Sequence, residues 1–157
     1  MQGKYYSFGA TSAVITGLAV IVGLSRTANP VMGITTALVV IAIADNISDS
    51  FGIHVHQESQ KESIKEVRKT TFTNFVTRVV IVAIFVLPVI LFPIKAAVIL
   101  SIFFGMAVIS TISYFIAKEQ KAKPFRVVFH HLLITALVII GSYLLREASA
   151  GLIAKFS

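Results

Sequence analysis

The chain has 157 residues, of which 56% are hydrophobic and 13% charged, with a formal net charge of +7 and a mean hydropathy of +0.87. A soluble domain carries about 25% charged residues, so a chain this short cannot clothe a water-facing surface, and a bilayer is the solvent that suits it. Cysteine is absent, which excludes a disulfide framework and thiolate metal or redox chemistry. The basic excess is read as membrane topology, since there is no soluble face on which it could bind nucleic acid.

The first apolar run covers residues 8–24 behind Met1-Gln2-Gly3-Lys4. It is long for the apolar core of a signal peptide and no A-x-A cleavage site follows, so a retained first helix is expected. Gly9, Gly17 and Gly23, with Ser12 and Thr16, give that helix a small-residue face suited to close packing or a dimer seam. A polar turn from Ser25 to Asn29 leads to Pro30, a residue favoured at a helix start. The second span is expected over 30–55, continuing as a polar cytoplasmic helix over 56–74 in which Glu58, Glu62, Glu66 and Lys61, Lys65, Lys69 repeat every four residues. The third span covers 75–92 with a kink at Pro88, the fourth 94–117 and the fifth 125–145, separated at Pro93 and at Lys121–Pro124. Tyr5, Tyr6, Tyr114 and Tyr143 fit interfacial belts, and His130 and His131 read as interfacial residues near the start of span five.

The fold class expected is all-α: one transmembrane domain of five helices. Its orientation follows from the basic residues. Lys4, then Lys61, Lys65, Arg68, Lys69 and Arg78, then Lys118, Lys121, Lys123 and Arg126 share one side, against Arg26, Lys95, Arg146 and Lys155 on the other. The richer side is cytoplasmic, which puts the N-terminus inside.

The chain has seven acidic residues, and five lie within the stretch 45–66. Asp45 and Asp49 are inside an apolar span, where a charged Asp costs about 2.5–3.5 kcal/mol at the bilayer centre, so they require a partner, a cavity or a pathway. Asp45, Asp49, Gly52 and His56 share one helical face, flanked by Asn46 and Ser48. Carboxylates and imidazole at this spacing suit Mn, Fe or Zn. The same acids could carry protons, or the polar group could simply hydrogen-bond between helices. His54, Glu58, Glu62 and Glu66 continue the pattern, either as a cation-attracting face or as a solvated helix. No nucleotide loop, G-x-S-x-G or H-E-x-x-H points to an enzyme.

Spans one and two resemble the vacuolar iron transporter family. The residues are Phe8-Gly9, Ser12-Ala13, Thr16-Gly17-Leu18 and Gly23-Leu24-Ser25, then Ala44, Ser48-Asp49 and Gly52, followed by a charged segment and three further spans. The resemblance implies a five-span homodimer that moves ferrous iron or manganese out of the cytosol in exchange for protons, along a pathway lined by spans one and two. The chain departs from the family pattern at Ser12-Ala13 (usually Asp-Gly), at Asp49 (usually Met) and at Ile53 (usually Glu). Replacing a thioether by a hard carboxylate suits Mn or Mg as well as iron.

The expected function is therefore proton-coupled export of a divalent ion of the iron or manganese class across a prokaryotic cell membrane, with no resident cofactor. The expected metal-handling residues are Asp45, Asp49, His56, Glu58, Glu62 and Glu66, and the expected pathway-lining residues are Ser12, Thr16, Asn46, Ser48 and Gly52. The competing expectation is a non-transporting accessory module whose buried acids pair with a partner helix.

Overall fold

The computed structural model describes residues 3–153, and the side chains of residues 8–152. The side chains of Tyr5, Tyr6, Lys4 and Lys155 lie outside that set. The described residues form helices with no strand. In chain order they are α1 (Gly3–Leu24), α2 (Pro30–Ser59), α3 (Ile64–Leu91), α4 (Ile94–Glu119) and α5 (Pro124–Ile153). Four of them, α2 to α5, are long and apolar enough to cross a membrane, and the apolar part of α1, Phe8–Leu24, is shorter.

Helix α1 is the centre of the bundle and packs against each of the other four. Its buried residues Ala13, Val14, Leu18 and Ile21 meet Ile34 and Leu38 of α2, Val82, Phe85 and Val89 of α3, and Ala97 and Ile109 of α4. On α4 the buried positions fall every four residues at Ala97, Ser101, Gly105, Ile109, Ser113 and Ala117, a narrow seam of small side chains that lets the backbones approach. At Gly105 the approach is so close that a Cβ there would lie 2.7 Å from Leu18 Cδ1. The small-residue face of α1 is used in the same way within the chain: a Cβ at Gly9 would lie 2.5 Å from Asn74 Oδ1 on α3, and one at Gly17 would lie 3.1 Å from the Phe85 ring. Only Gly23 of that face has open space beside it.

The pattern of exposure is the reverse of a soluble protein's. Large apolar side chains such as Phe51, Leu91 and Phe103 are exposed, while Arg78, Asn46, Asn74, Gln57 and Ser113 are buried. Apolar exposure of this extent suits lipid, and polar burial of this kind suits the interior of a membrane bundle.

Two features differ from the reading of the sequence. The polar stretch expected as one helix over 56–74 is broken. Helix α2 stops at Ser59, and Lys61 takes a left-handed conformation with φ 58°. The Glu62 amide reaches back to the Gln57 carbonyl at 3.3 Å, the closure typical of a helix C-terminus. Helix α3 then starts with Ser63 as its cap, the hydroxyl accepting from the Glu66 amide at 3.3 Å. The same closure ends α4, with Lys121 at φ 54° and the Ala122 amide on the Ala117 carbonyl at 2.9 Å. The second feature is a π-helical turn, Ile41–Asp45, in the middle of α2. Helix α3 also runs on through Pro88, whose missing N–H leaves the Ile84 carbonyl without its usual donor.

Candidate functional site

Arg78 stands at the middle of α3, about 21 Å along the axis from Ile64. Its side chain is only 2% exposed. Nη2 is hydrogen-bonded to Asp45 Oδ2, and Nη1 to Asp49 Oδ2. Nη1 also donates to Ser12 Oγ of α1 at 3.1 Å. One guanidinium therefore joins three helices through two carboxylates and a hydroxyl. The pairing is local in cause: Asp45 and Asp49 are one turn apart and face the same way, and a planar fork of donors suits two carboxylates side by side. The carboxylates are less enclosed than their partner, with Asp45 47% and Asp49 33% exposed.

Asp45 is also the last residue of the π turn. The Asn46 amide reaches the Ile41 carbonyl, five residues back, instead of bonding in the α-helical pattern. Such turns are rare and concentrate at functional positions.

Beside it lies a second, uncharged layer, made by the residues that directly follow the two carboxylates on α2 and by Asn74, one turn before Arg78 on α3. Asn46 Nδ2 donates to the Phe75 carbonyl at 2.9 Å, Ser50 Oγ to Asn46 Oδ1 at 3.4 Å, and Asn74 Nδ2 to Ser50 Oγ at 3.2 Å. Asn74 Oδ1 has no hydrogen-bond partner in the protein and faces the bare backbone of Gly9. This layer locks α2 to α3, with Asn46 and Asn74 both fully buried.

From Asp49 a cavity of about 750 Å³ follows α2 toward its C-terminal end. Its wall carries Ser48, Asp49, Gly52, His56, Gln57 and Glu62, with Phe8 of α1 opposite. Asp49 to Gln60 spans about 16 Å of helix. Toward the C-terminal end of α2, Gln57 Nε2 donates to Glu62 Oε2 at 2.8 Å, while Gln57 Oε1 is buried without a hydrogen-bond partner among the described residues.

The structure thus sorts the residues expected from the sequence. Asp45, Asp49 and Ser12 are brought together, but around Arg78. Ser48, Gly52, His56 and Glu62 line the cavity with Asp49. Asn46 belongs to the neutral layer, and Thr16 is half-buried on α1. Glu58, Glu62 and Glu66 do not make one stripe: Glu58 is exposed on α2, Glu62 lies in the turn, and Glu66 opens α3. Among the described residues, no three of His, Cys, Asp and Glu are close enough together to hold a metal ion. The expected six-residue metal set is therefore spread along the cavity and beyond it.

Arg78, Asn74 and Gln57 are the residues that the sequence reading did not single out. Arg78 was available as a signal, because it lies next to the apolar run from Val79 to Leu91. It counts there as a topology charge, yet it is buried among carboxylates and has no part in a basic border.

Two further polar groupings lie elsewhere. Near the far end of α5, Arg146 Nη1 donates to Ser25 Oγ at 2.9 Å and to the Val22 carbonyl at 3.3 Å, while Nη2 meets Glu147 Oε1 at 2.7 Å. Arg26 reaches the same carboxylate oxygen at 3.3 Å. Between α4 and α5, Ser113 Oγ donates to the Ile109 carbonyl at 2.6 Å and lies 2.7 Å from His131 Nδ1. His131 thus has a specific hydrogen-bond partner, unlike a plain interfacial residue.

Comparison with protein-family models, with curated proteins and with solved structures gave no match to this chain.

Proposed function

We propose that the chain is a multi-pass membrane transporter for a divalent cation of the iron or manganese class, coupled to protons and moving the ion out of the cytosol. Five spans cross the bilayer, with the N-terminus and the α2–α3 turn in the cytoplasm. The observation that carries the reading is Asp49: a carboxylate about two-thirds of the way along α2 that opens on a 750 Å³ cavity whose wall leads past His56 to Glu62. Asp45 and Asp49 together outnumber the one guanidinium between them, so the cluster has an excess negative charge and attracts a cation or proton. A carboxylate facing lipid is costly, up to about 2.5–3.5 kcal/mol at the bilayer centre on insertion scales, and is far better placed against water or a second protein surface. Asp45 is half exposed on the same helix, which favours a second copy of the chain covering this face. The resemblance of spans one and two to iron transporters points the same way.

A second reading is favoured by one observation. Both carboxylates have a partner within the chain, which suits a non-transporting module in which Arg78 simply ties α2 to α3. Manganese flux into proteoliposomes separates the two. The transporter reading expects Mn²⁺ flux by the wild type and at least a tenfold loss with Asp49→Asn. Absence of flux for the wild type with Mn²⁺ and Fe²⁺, in either direction and under a proton gradient, would sink it.

A further inference from the structure

Nothing among the described residues requires Gly52 to be glycine. It lies inside α2, where a missing side chain weakens a helix. At Gly9, Gly17 and Gly105 that weakness is offset by the close approach of a neighbouring helix. Beside Gly52 a Cβ would meet nothing within 4 Å, and its backbone takes no left-handed conformation. What its smallness preserves is space: Gly52 lines the cavity one turn beyond Asp49.

The wall of that cavity changes character along its length. At one end stands Asp49, held by Arg78 through Oδ2 and still 33% exposed. The middle is apolar, with Gly52 and Ile53 on α2 and Phe8 on α1. Toward the other end Gln57 forms part of the wall. Gln57 is only 2% exposed, and its Oε1 is buried with no hydrogen-bond partner among the described residues. An acceptor in that state is costly unless something brings it a donor. Asp49 and Gln57 lie about 12 Å apart along the helix axis.

Charge sets the class of occupant. Asp45, Asp49 and Arg78 sum to one negative charge, and the guanidinium keeps its charge at any pH the protein meets. One added positive charge brings this cluster to zero with Arg78 where it stands. A metal ion is not what the wall is built for, since among the described residues no three of His, Cys, Asp and Glu converge. A cavity of about 750 Å³ is also far larger than a bare ion, and falls within the range of sites for small organic molecules. An ammonium group needs no coordination sphere, because its N–H donors bond directly to a carboxylate. An apolar body attached to it gains by burial against Ile53 and the Phe8 ring.

We infer that this cavity binds a small organic ammonium ion of single charge. Its N–H groups meet Asp49, its apolar body lies over Gly52 between Ile53 and Phe8, and a neutral donor at its far end meets Gln57 Oε1. The inference goes beyond the divalent-ion reading and does not rest on it, since it needs neither metal ligation nor any movement of Arg78.

The test is equilibrium binding of tritiated tyramine, an aryl-ethylammonium with a hydroxyl at its far end, to purified, monodisperse full-length protein. The wild type should bind it saturably. Asp49→Asn removes the charge that meets the ammonium and should weaken binding by about tenfold or more. Gly52→Leu should do the same by filling the cavity from a position with open space around it, and it keeps the test decisive if Asp49→Asn does not fold. Neutral 4-ethylphenol, with the same ring and hydroxyl, should compete about tenfold or more weakly than unlabelled tyramine. Absence of saturable binding by the wild type overturns the inference. Binding that folded Gly52→Leu leaves unchanged overturns it too, as does displacement by 4-ethylphenol equal to that by tyramine. Mn²⁺ flux is measured separately, so either reading falls without the other.

Discussion

Two arginines tie helices together in this bundle, and their charge balances are opposite. Arg78, in the middle of α3, holds two carboxylates and a serine, leaving an excess of negative charge. Arg146, near the end of α5, shares the single carboxylate of Glu147 with Arg26, leaving an excess of positive charge. Arg146 also stacks over Tyr143 at 4.4 Å and caps the end of α1 through the Val22 carbonyl and Ser25. Apart from the shared Glu147 carboxylate, its partners are backbone, hydroxyl and aromatic groups. The partners of Arg78 are carboxylates on a helix face that opens to a cavity. The same side chain therefore serves as a fastening in one place and, in the reading proposed above, as part of an ion site in the other.

The largest effect expected from breaking this comparison is at Arg78. Arg78→Leu leaves two carboxylates without their counter-charge at mid-bundle, and breaking a buried pair on one side costs about 3–5 kcal/mol. The partial exposure of both acids puts the expected loss at the lower end of that range. Unfolding of the purified protein in mixed micelles, titrated with SDS, measures it. A loss below 1 kcal/mol would mean that water or lipid headgroups already compensate the acids. Arg146→Leu should cost less, about 1–2 kcal/mol, because it removes two hydrogen bonds to α1 and its turn, an exposed ion pair with Glu147 and a ring stack, but strands no buried charge. If the two variants were equally destabilised, the distinction between the clusters would be lost.

How far these clusters can be seen in the sequence depends on the physics that writes them. The spans are plain, because an apolar run long enough to cross a bilayer has few other meanings. The shared face of Asp45 and Asp49 is plain too, because helical spacing alone decides it. Arg78 is not. It falls four residues after Asn74, at the edge of the basic segment, where a topology charge and a buried counter-ion look identical in one dimension. Only the packing of α3 against α2 separates them. The break at 60–63 is half visible: Ser63-Ile64-Lys65-Glu66 is a helix-start signature. The stop before it is hidden, since Lys61 occupies the left-handed position that glycine usually marks. The π turn at Ile41–Asp45 leaves no pattern in its all-apolar approach to Asp45. The face of glycines on α1 is legible as a seam, but sequence cannot say whether a seam is within one chain or between two. Gly9 and Gly17 meet α3 of the same chain.

The smallest effect expected is at the rim of the Arg146 cluster. Arg26 and Glu147 form an ion pair at 3.3 Å, with side chains 69% and 45% exposed. An exposed pair of this kind contributes little, since solvent screens the attraction and holding two long side chains costs rotamer freedom. Glu147 also has Arg146 nearer, at 2.7 Å, so losing Arg26 does not leave its carboxylate alone. Arg26→Ala should therefore change the SDS-unfolding free energy by less than about 0.5 kcal/mol. Its remaining consequence is electrostatic: with Arg26 gone, Arg146 and Glu147 balance, and the positive excess within that cluster disappears. A measured loss above 1 kcal/mol would show that Arg26 is a structural member of the cluster, and that the fastening at this end depends on the whole charge network more than on the bonds of Arg146 to α1.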